Sequence, residues 1–216
     1  MTKSLRALAL ASCILITPNL LHASSIVFTT VSADHMFDTN DGGYSIFGTD
    51  VCCDVDTGVE FTLSASTVLD KFGVGLGYVS GTNALDLTLR AGTPTGAVVE
   101  SFSVSGMPTF SGLQLVTFGS SVLHPTLIAG TPYWLVASAS APDGSLFWGF
   151  DDRFADNSLV VNQAVNGEWG GLLVRTGMAL EVYATDAAVP EPTSMLLLSI
   201  GIAGLIAKRL HGQRHS

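Results

Sequence analysis

The chain is 216 residues long, with 47% hydrophobic residues and a formal charge of −9, which leaves room for one ordinary domain once its two ends are set aside. Between residues 24 and 189, only Lys71, Arg90, Arg153 and Arg175 stand against 17 of the 18 acidic residues, a net charge of −13. A domain this acidic repels nucleic acid and anionic lipid, which argues against either as its partner.

In chain order, the first feature is a leader. Lys3 and Arg6 precede an apolar run, Ala7 to Ile16, then Pro18 and Leu21-His22-Ala23 before Ser24. A short basic region, a short apolar region and a small residue at the exit predict a signal peptide over 1–23, cleaved after Ala23. The run is too short to span a bilayer, so a retained anchor is the weaker reading. Leu10-Ala11-Ser12-Cys13 resembles a lipoprotein processing box, but only six residues separate Arg6 from Cys13. That leaves almost no apolar region upstream, and Cys13 reads as a cysteine inside the leader.

From residue 24 to 184 the pattern predicts strands. Leu85, Leu87 and Leu89 alternate with Asp86, Thr88 and Arg90 over Ala84–Ala91, the period of a half-buried strand. Val98–Val104 alternates too, with Phe102 and Val104 assigned to one face and Glu100 to the other. Leu180 and Val182 alternate with Glu181 and Tyr183. Other apolar or β-branched runs lie at Ile26–Val31, Val59–Leu63, Leu113–Phe118, Tyr133–Ser138, Leu146–Phe150 and Leu159–Val161. Gly81-Thr82-Asn83, Gly92-Thr93-Pro94, Gly130-Thr131-Pro132 and Pro142-Asp143-Gly144 punctuate them as turns, and Asn166-Gly167 is the strongest hairpin signal. No segment in this span sustains a helical apolar face. The expectation is an all-β fold, an antiparallel β-sandwich or jelly roll of eight or more strands around a two-sheet core. Residues 185–189, ending before Pro190, read as a linker.

The final segment, 190–212, is a constellation. Pro190-Glu191-Pro192 is followed by Thr193-Ser194, an apolar stretch from Met195 to Ala207, and then Lys208-Arg209. At ~1.5 Å per residue that stretch reaches roughly 20 Å, short of a ~30 Å hydrocarbon core. With Thr193 and Ser194 assisting and the basic end snorkelling, it can lodge in the membrane as a short transmembrane helix, Lys208 and Arg209 acting as the cytoplasmic stop. A motif, a marginal span and a basic stop make a temporary anchor that presents a cleavage site, by the logic of other discarded hydrophobic tails. These residues closely resemble the PEP-CTERM sorting signal. The resemblance implies recognition of Pro190, Glu191 and Pro192 by exosortase, a membrane protease or transpeptidase of Gram-negative bacteria that make exopolysaccharide. It further implies export, a transient stay in the inner membrane, and release to the cell surface or outside. A plain membrane helix after a proline hinge is the alternative.

Within the cargo region, several stretches resemble the choice-of-anchor domains of R type over Val59 to Phe150. They are Ser80-Gly81-Thr82-Asn83-Ala84-Leu85, Gly96-Ala97-Val98-Val99-Glu100-Ser101-Phe102, Ala129-Gly130-Thr131-Pro132-Tyr133-Trp134-Leu135-Val136, and Trp148-Gly149. That resemblance implies a way of being anchored and no catalytic residues.

Chemistry-bearing residues are few. Outside the leader and tail the only histidines are His35 and His124, and no Gly-x-Ser-x-Gly elbow is present. Both histidines read as structural or surface groups. Cys52 and Cys53 are adjacent, so in an oxidising compartment they form a strained vicinal disulfide, pair with another chain, or remain an inert loop pair. Asp34, Asp38, Asp41, Asp50, Asp54, Asp56 and Glu60 form one acidic group, and Asp151, Asp152 and Asp156 a second. Asp54 and Asp56 are the weak calcium candidates, since calcium takes several loop oxygens, yet no full EF-hand pattern follows. No other cofactor is expected.

Tyr133, Trp134, Phe147, Trp148, Phe150 and Trp169 are the aromatic residues available to a sugar. Because consecutive strand residues face opposite ways, Tyr133 and Trp134 are not both expected in the core, and one of them is expected to be exposed or at a sheet edge. Trp134 and Trp148 are therefore the candidate sugar contacts. The reading is an exported, exosortase-sorted surface or matrix protein, associated with exopolysaccharide and not an enzyme. A carbohydrate-binding module is the alternative, and a secreted hydrolase the third choice, whose carboxylate pair sequence does not identify.

Overall fold

Seventeen strands lie among the residues described by the computed structural model, 24–151, 158–170, 173–176 and 178–185. The expected leader, residues 186–189 of the expected linker, and the tail with Pro190, Glu191, Pro192, Lys208 and Arg209 lie outside them. The first nine strands are β1 (Ser24–Thr29), β2 (Met36–Asp38), β3 (Gly43–Phe47), β4 (Val55–Thr62), β5 (Thr67–Val74), β6 (Leu76–Ser80), β7 (Ala84–Ala91), β8 (Val98–Ser105) and β9 (Leu113–Leu115). The rest are β10 (Thr117–Ser120), β11 (Thr126–Leu127), β12 (Pro132–Ala139), β13 (Ser145–Gly149), β14 (Ser158–Val165), β15 (Glu168–Trp169), β16 (Leu173–Thr176) and β17 (Leu180–Thr185). A single 3-10 turn, Thr39–Asp41, is the only helical segment among the described residues.

A five-stranded sheet runs β1-β17-β5-β10, with β11 also on β5. A ten-stranded sheet runs β6-β13-β3-β4-β12-β7-β8, and β14 joins it at β4, carrying β15 and β16. β2 and β9 form a separate ribbon. Every strand pairing is antiparallel, as the alternation predicts. One core joins both sheets: Leu69, Phe72 and Val74 of β5 and Leu180 and Val182 of β17 pack with Val59, Phe61, Leu85, Leu87, Leu89 and Leu135. The ring of Phe72 meets Phe61 and Phe102 edge-on, at centroid distances of 5.9 and 5.6 Å, contacts that each contribute about 0.5–1.5 kcal/mol beyond burial.

Turn chemistry is as read. Asn166 and Gly167 both take positive φ, 54° and 80°, between Val165↔Glu168 and Ala164↔Trp169 pairs, the backbone of a type I′ hairpin. Strands β3, β5 and β6 escape the periodicity because glycine replaces side chains where rings lie on the backbone. A Cβ on Gly75 would collide with Ala179 and Phe37, and one on Gly77 with Phe110.

Three expectations about side-chain exposure are corrected. Glu100 shares its face with Phe102 and Val104, as residues two and four apart on one strand do, and it is buried because the loop after β10 folds over its carboxylate. Tyr133 and Trp134 face opposite ways as expected, but neither is exposed, since both are buried. Tyr133 stacks on Phe61 in the core, whereas Trp134 lies on the outer face, where its ring and that of Trp169 both close over Gly58. Trp148 is fully buried and its Nε1–H donates to the Ala179 carbonyl at 3.0 Å, so it is a core residue and not a sugar contact.

Candidate functional site

Cross-strand register assembles a polar and aromatic face on the outside of the large sheet. One row reads Val160, Glu60, Trp134, Arg90 and Val98 across β14, β4, β12, β7 and β8. The next reads Asn162, Gly58, Val136, Thr88 and Ser101, and a third Ala164, Asp56, Ser138, Asp86 and Ser103. Gly58 is required here: a Cβ would stand 3.1 Å from the Trp169 ring and 3.3 Å from the Trp134 ring. The β14–β15 hairpin thus brings Trp169, half-buried, back over β4, and Trp134 is left only 2% exposed. A ring so covered cannot stack on a sugar, so Trp134 as a direct contact is corrected; of these two indoles, Trp169 is the one a ligand can reach.

Polar atoms on this face are incompletely satisfied. Arg90 donates through Nη1 to the Gly96 carbonyl at 3.0 Å, but its Nε, the Trp134 Nε1 and the Asn162 Oδ1 are buried with no partner among the described residues. Leaving such groups unpaired costs about 1–3 kcal/mol each, a cost that binding sites characteristically retain. Burial pushes the Asp56 carboxyl up; the hydrogen bond to Ser138 and the Arg90 charge pull it down less than burial and Asp54 raise it. The signal for Trp169, Glu60, Arg90 and Asn162 as members of one face was absent from local sequence, since four different strands supply them, two of which form one hairpin.

Elsewhere, titratable groups are tied into the fold. Glu181, buried on the outer face of the small sheet, accepts from Tyr183 Oη at 2.7 Å and lies 2.8 Å from His35 Nδ1. Burial, reinforced by Glu181, pushes the Tyr183 phenol far up. His124 sits at φ 46° with Nδ1 3.0 Å from the Leu69 carbonyl. Glu100 accepts from Ser121 Oγ at 2.6 Å and from the N–H groups of Val122 and Leu123 at 2.6 and 2.9 Å. Burial alone would raise its carboxyl, but these bonds outweigh it and hold the group below its ordinary range.

Cys52 and Cys53 are thiols with Sγ atoms 2.7 Å apart in the exposed turn between β3 and β4. The Cys52 thiol, with some burial and the Asp54 charge, pushes the Cys53 thiol up. Asp54 lines a shallow hollow with Gly48, Thr49, Ala139, Ser140, Ala141 and Pro142. Among the described residues, no three His, Cys, Asp or Glu side chains converge as a metal site, and Asp54 and Asp56 have no third such partner. Among the same residues, no helix is long and apolar enough to cross a membrane.

Comparison with known proteins identifies the tail. The model of the PEP-CTERM protein-sorting motif matches residues 188–209, which include Pro190-Glu191-Pro192, the apolar stretch and Lys208-Arg209. No curated protein matches the chain. The motif implies an exported protein sorted by exosortase, with a C-terminal tail anchored in the membrane before cleavage.

Proposed function

We propose that this chain is a non-catalytic cell-surface protein that associates with the exopolysaccharide matrix after exosortase has removed its tail. The observation that carries the reading is the sorting motif at 188–209. Two prolines within three residues are a pattern that a helix interior does not tolerate, which suits Pro190-Glu191-Pro192 to a recognition motif set apart from the apolar stretch after it. The likeness to choice-of-anchor domains fits a cargo defined by where it is fixed. Its histidines serve the fold: His35 lies against a buried carboxylate and His124 against a main-chain carbonyl.

One observation favours a sugar-binding role for the cargo itself. Trp169 offers a half-buried ring that closes over Gly58, on the sheet face that also carries Glu60, Arg90 and Asn162, and three polar atoms of that face have no partner among the described residues. Rings bounded by fixed polar groups suit the apolar faces and hydroxyls of pyranose sugars. Expressing the full chain with Pro190→Ala and Pro192→Ala in an exosortase-bearing host tests the sorting reading: the variant should stay membrane-bound and uncleaved, and unchanged release would overturn it. A glycan array separates the second reading. Binding that is lost in Trp169→Ala supports it, and no binding at millimolar sugar ends it.

A further inference from the structure

One loop presents large aliphatic side chains to solvent in a conformation that the fold enforces. Between β10 and β11, Val122 is 82% exposed and Leu123 68% exposed. Their N–H groups are both gripped by the buried Glu100 carboxylate, whose other oxygen accepts from Ser121 Oγ. Ser121 Oγ accepts in turn from the His124 N–H at 2.9 Å, and the Ser121 N–H donates to the Asp70 carbonyl at 2.7 Å. The Leu69 N–H donates to the Pro125 carbonyl at 3.0 Å, closing the far side of the loop on β5. Placing a carboxylate at an inward strand position to hold two exposed aliphatics outward is a costly arrangement unless the loop tip meets something apolar.

The same end of the small sheet is where the chain departs towards its tail. Thr185 closes β17 opposite Ser24, and its hydroxyl reaches the Val68 carbonyl at 3.5 Å. Val68, paired with Thr126, and Ile128 are also exposed there, and Ile128 is fixed through its N–H to Tyr133 Oη at 2.9 Å. Nine residues separate Thr185 from Met195, where the apolar tail stretch begins; fully extended, the ten steps between the two span at most about 35 Å. The sorting motif implies that the tail is anchored in the membrane until it is cut, so the tether leaves from the Thr185 end of the domain, whereas Leu115, in the β2–β9 ribbon beyond Val74, lies at the other end.

We infer that, before cleavage, Val122 and Leu123 dip into the lipid surface and seat the domain on the membrane. The attraction is apolar, since the domain's negative charge offers none to anionic headgroups. The inference rests on the tail being membrane-held, and its test separates the two. The full chain is reconstituted in phosphatidylcholine vesicles carrying brominated acyl chains, with Val122→Trp or Leu123→Trp as reporters and Leu115→Trp as the remote control. Flotation with the vesicles reads anchoring; quenching reads the loop. The expected result is flotation in all variants, with the added fluorescence at 122 or 123 blue-shifted and largely lost to bromine, and that at 115 retained. Flotation with no more quenching at 122 and 123 than at 115 overturns the inference. So does a blue shift without bromine quenching, which would mean that protein covers the loop. A chain that does not float overturns the anchoring and the inference with it.

Discussion

The carboxylate of Glu100 offers a quantitative test of how the β10–β11 loop is held. Glu100→Gln keeps the size of the side chain but removes the charge from an acceptor of three hydrogen bonds. A hydrogen bond to a charged group contributes about 1.5–3 kcal/mol and a neutral one about 1. Val122 and Leu123 stand in solvent, where water compensates part of the loss, so the net cost should be about 2 kcal/mol, or roughly 4–8 °C in Tm for a domain of this size. The sign with pH is fixed by the depressed carboxyl. Stabilisation is complete above the unfolded value of about 4.3 and is lost as pH falls through the folded value. Thermal unfolding of the full chain, followed by tryptophan fluorescence from pH 7 down to 3, should show the gap between wild type and Glu100→Gln narrowing towards zero. Equal stability at pH 7, or a gap unchanged by acid, would refute the account of this loop.

Gly167→Ala places a Cβ at φ 80° in the type I′ hairpin and should cost about 1–2 kcal/mol in urea unfolding; a neutral result would mean the turn is not of this type. Tyr183→Phe removes a donor from the buried Glu181 and should destabilise by about 1–3 kcal/mol at pH 7. Because the Tyr183 phenol is raised in the fold, wild-type stability should fall as pH climbs above its unfolded value of about 10, and the Phe variant should lack that component. After export, a thiol–disulfide oxidase can take two electrons and two protons from Cys52 and Cys53 to form one vicinal bond. Intact mass of the exported protein before and after alkylation should show it lighter by two hydrogens and unalkylated, whereas alkylation at both thiols would exclude the disulfide.

The strands that sequence revealed were those whose neighbours obeyed a two-residue period, such as β7 with Leu85, Leu87 and Leu89 all buried. The hairpin at Asn166-Gly167 was equally readable, because positive φ at two successive residues selects that pair. The two-residue period already puts Glu100 with Phe102 and Val104; the burial of Glu100 and of Trp134 went unread for one reason. Burial of a charged or second-face residue depends on a loop or hairpin arriving from elsewhere in the chain: residues 121–124 for Glu100, Trp169 for Trp134. Strands β5 and β6 were hidden by glycines whose purpose is visible only when Phe37 and Phe110 are in place. The tail lay at the opposite extreme. Its signal is contiguous and chemical, so residues 190–209 could be read without any fold.

Mass spectrometry of the protein recovered from an exosortase-bearing, polysaccharide-producing host tests the central claim most directly. The account predicts an N-terminus at Ser24 and a C-terminus upstream of the apolar stretch, with every peptide containing Lys208-Arg209 missing from the released form. A released or surface-held protein that still carries Met195 to Arg209 would contradict it.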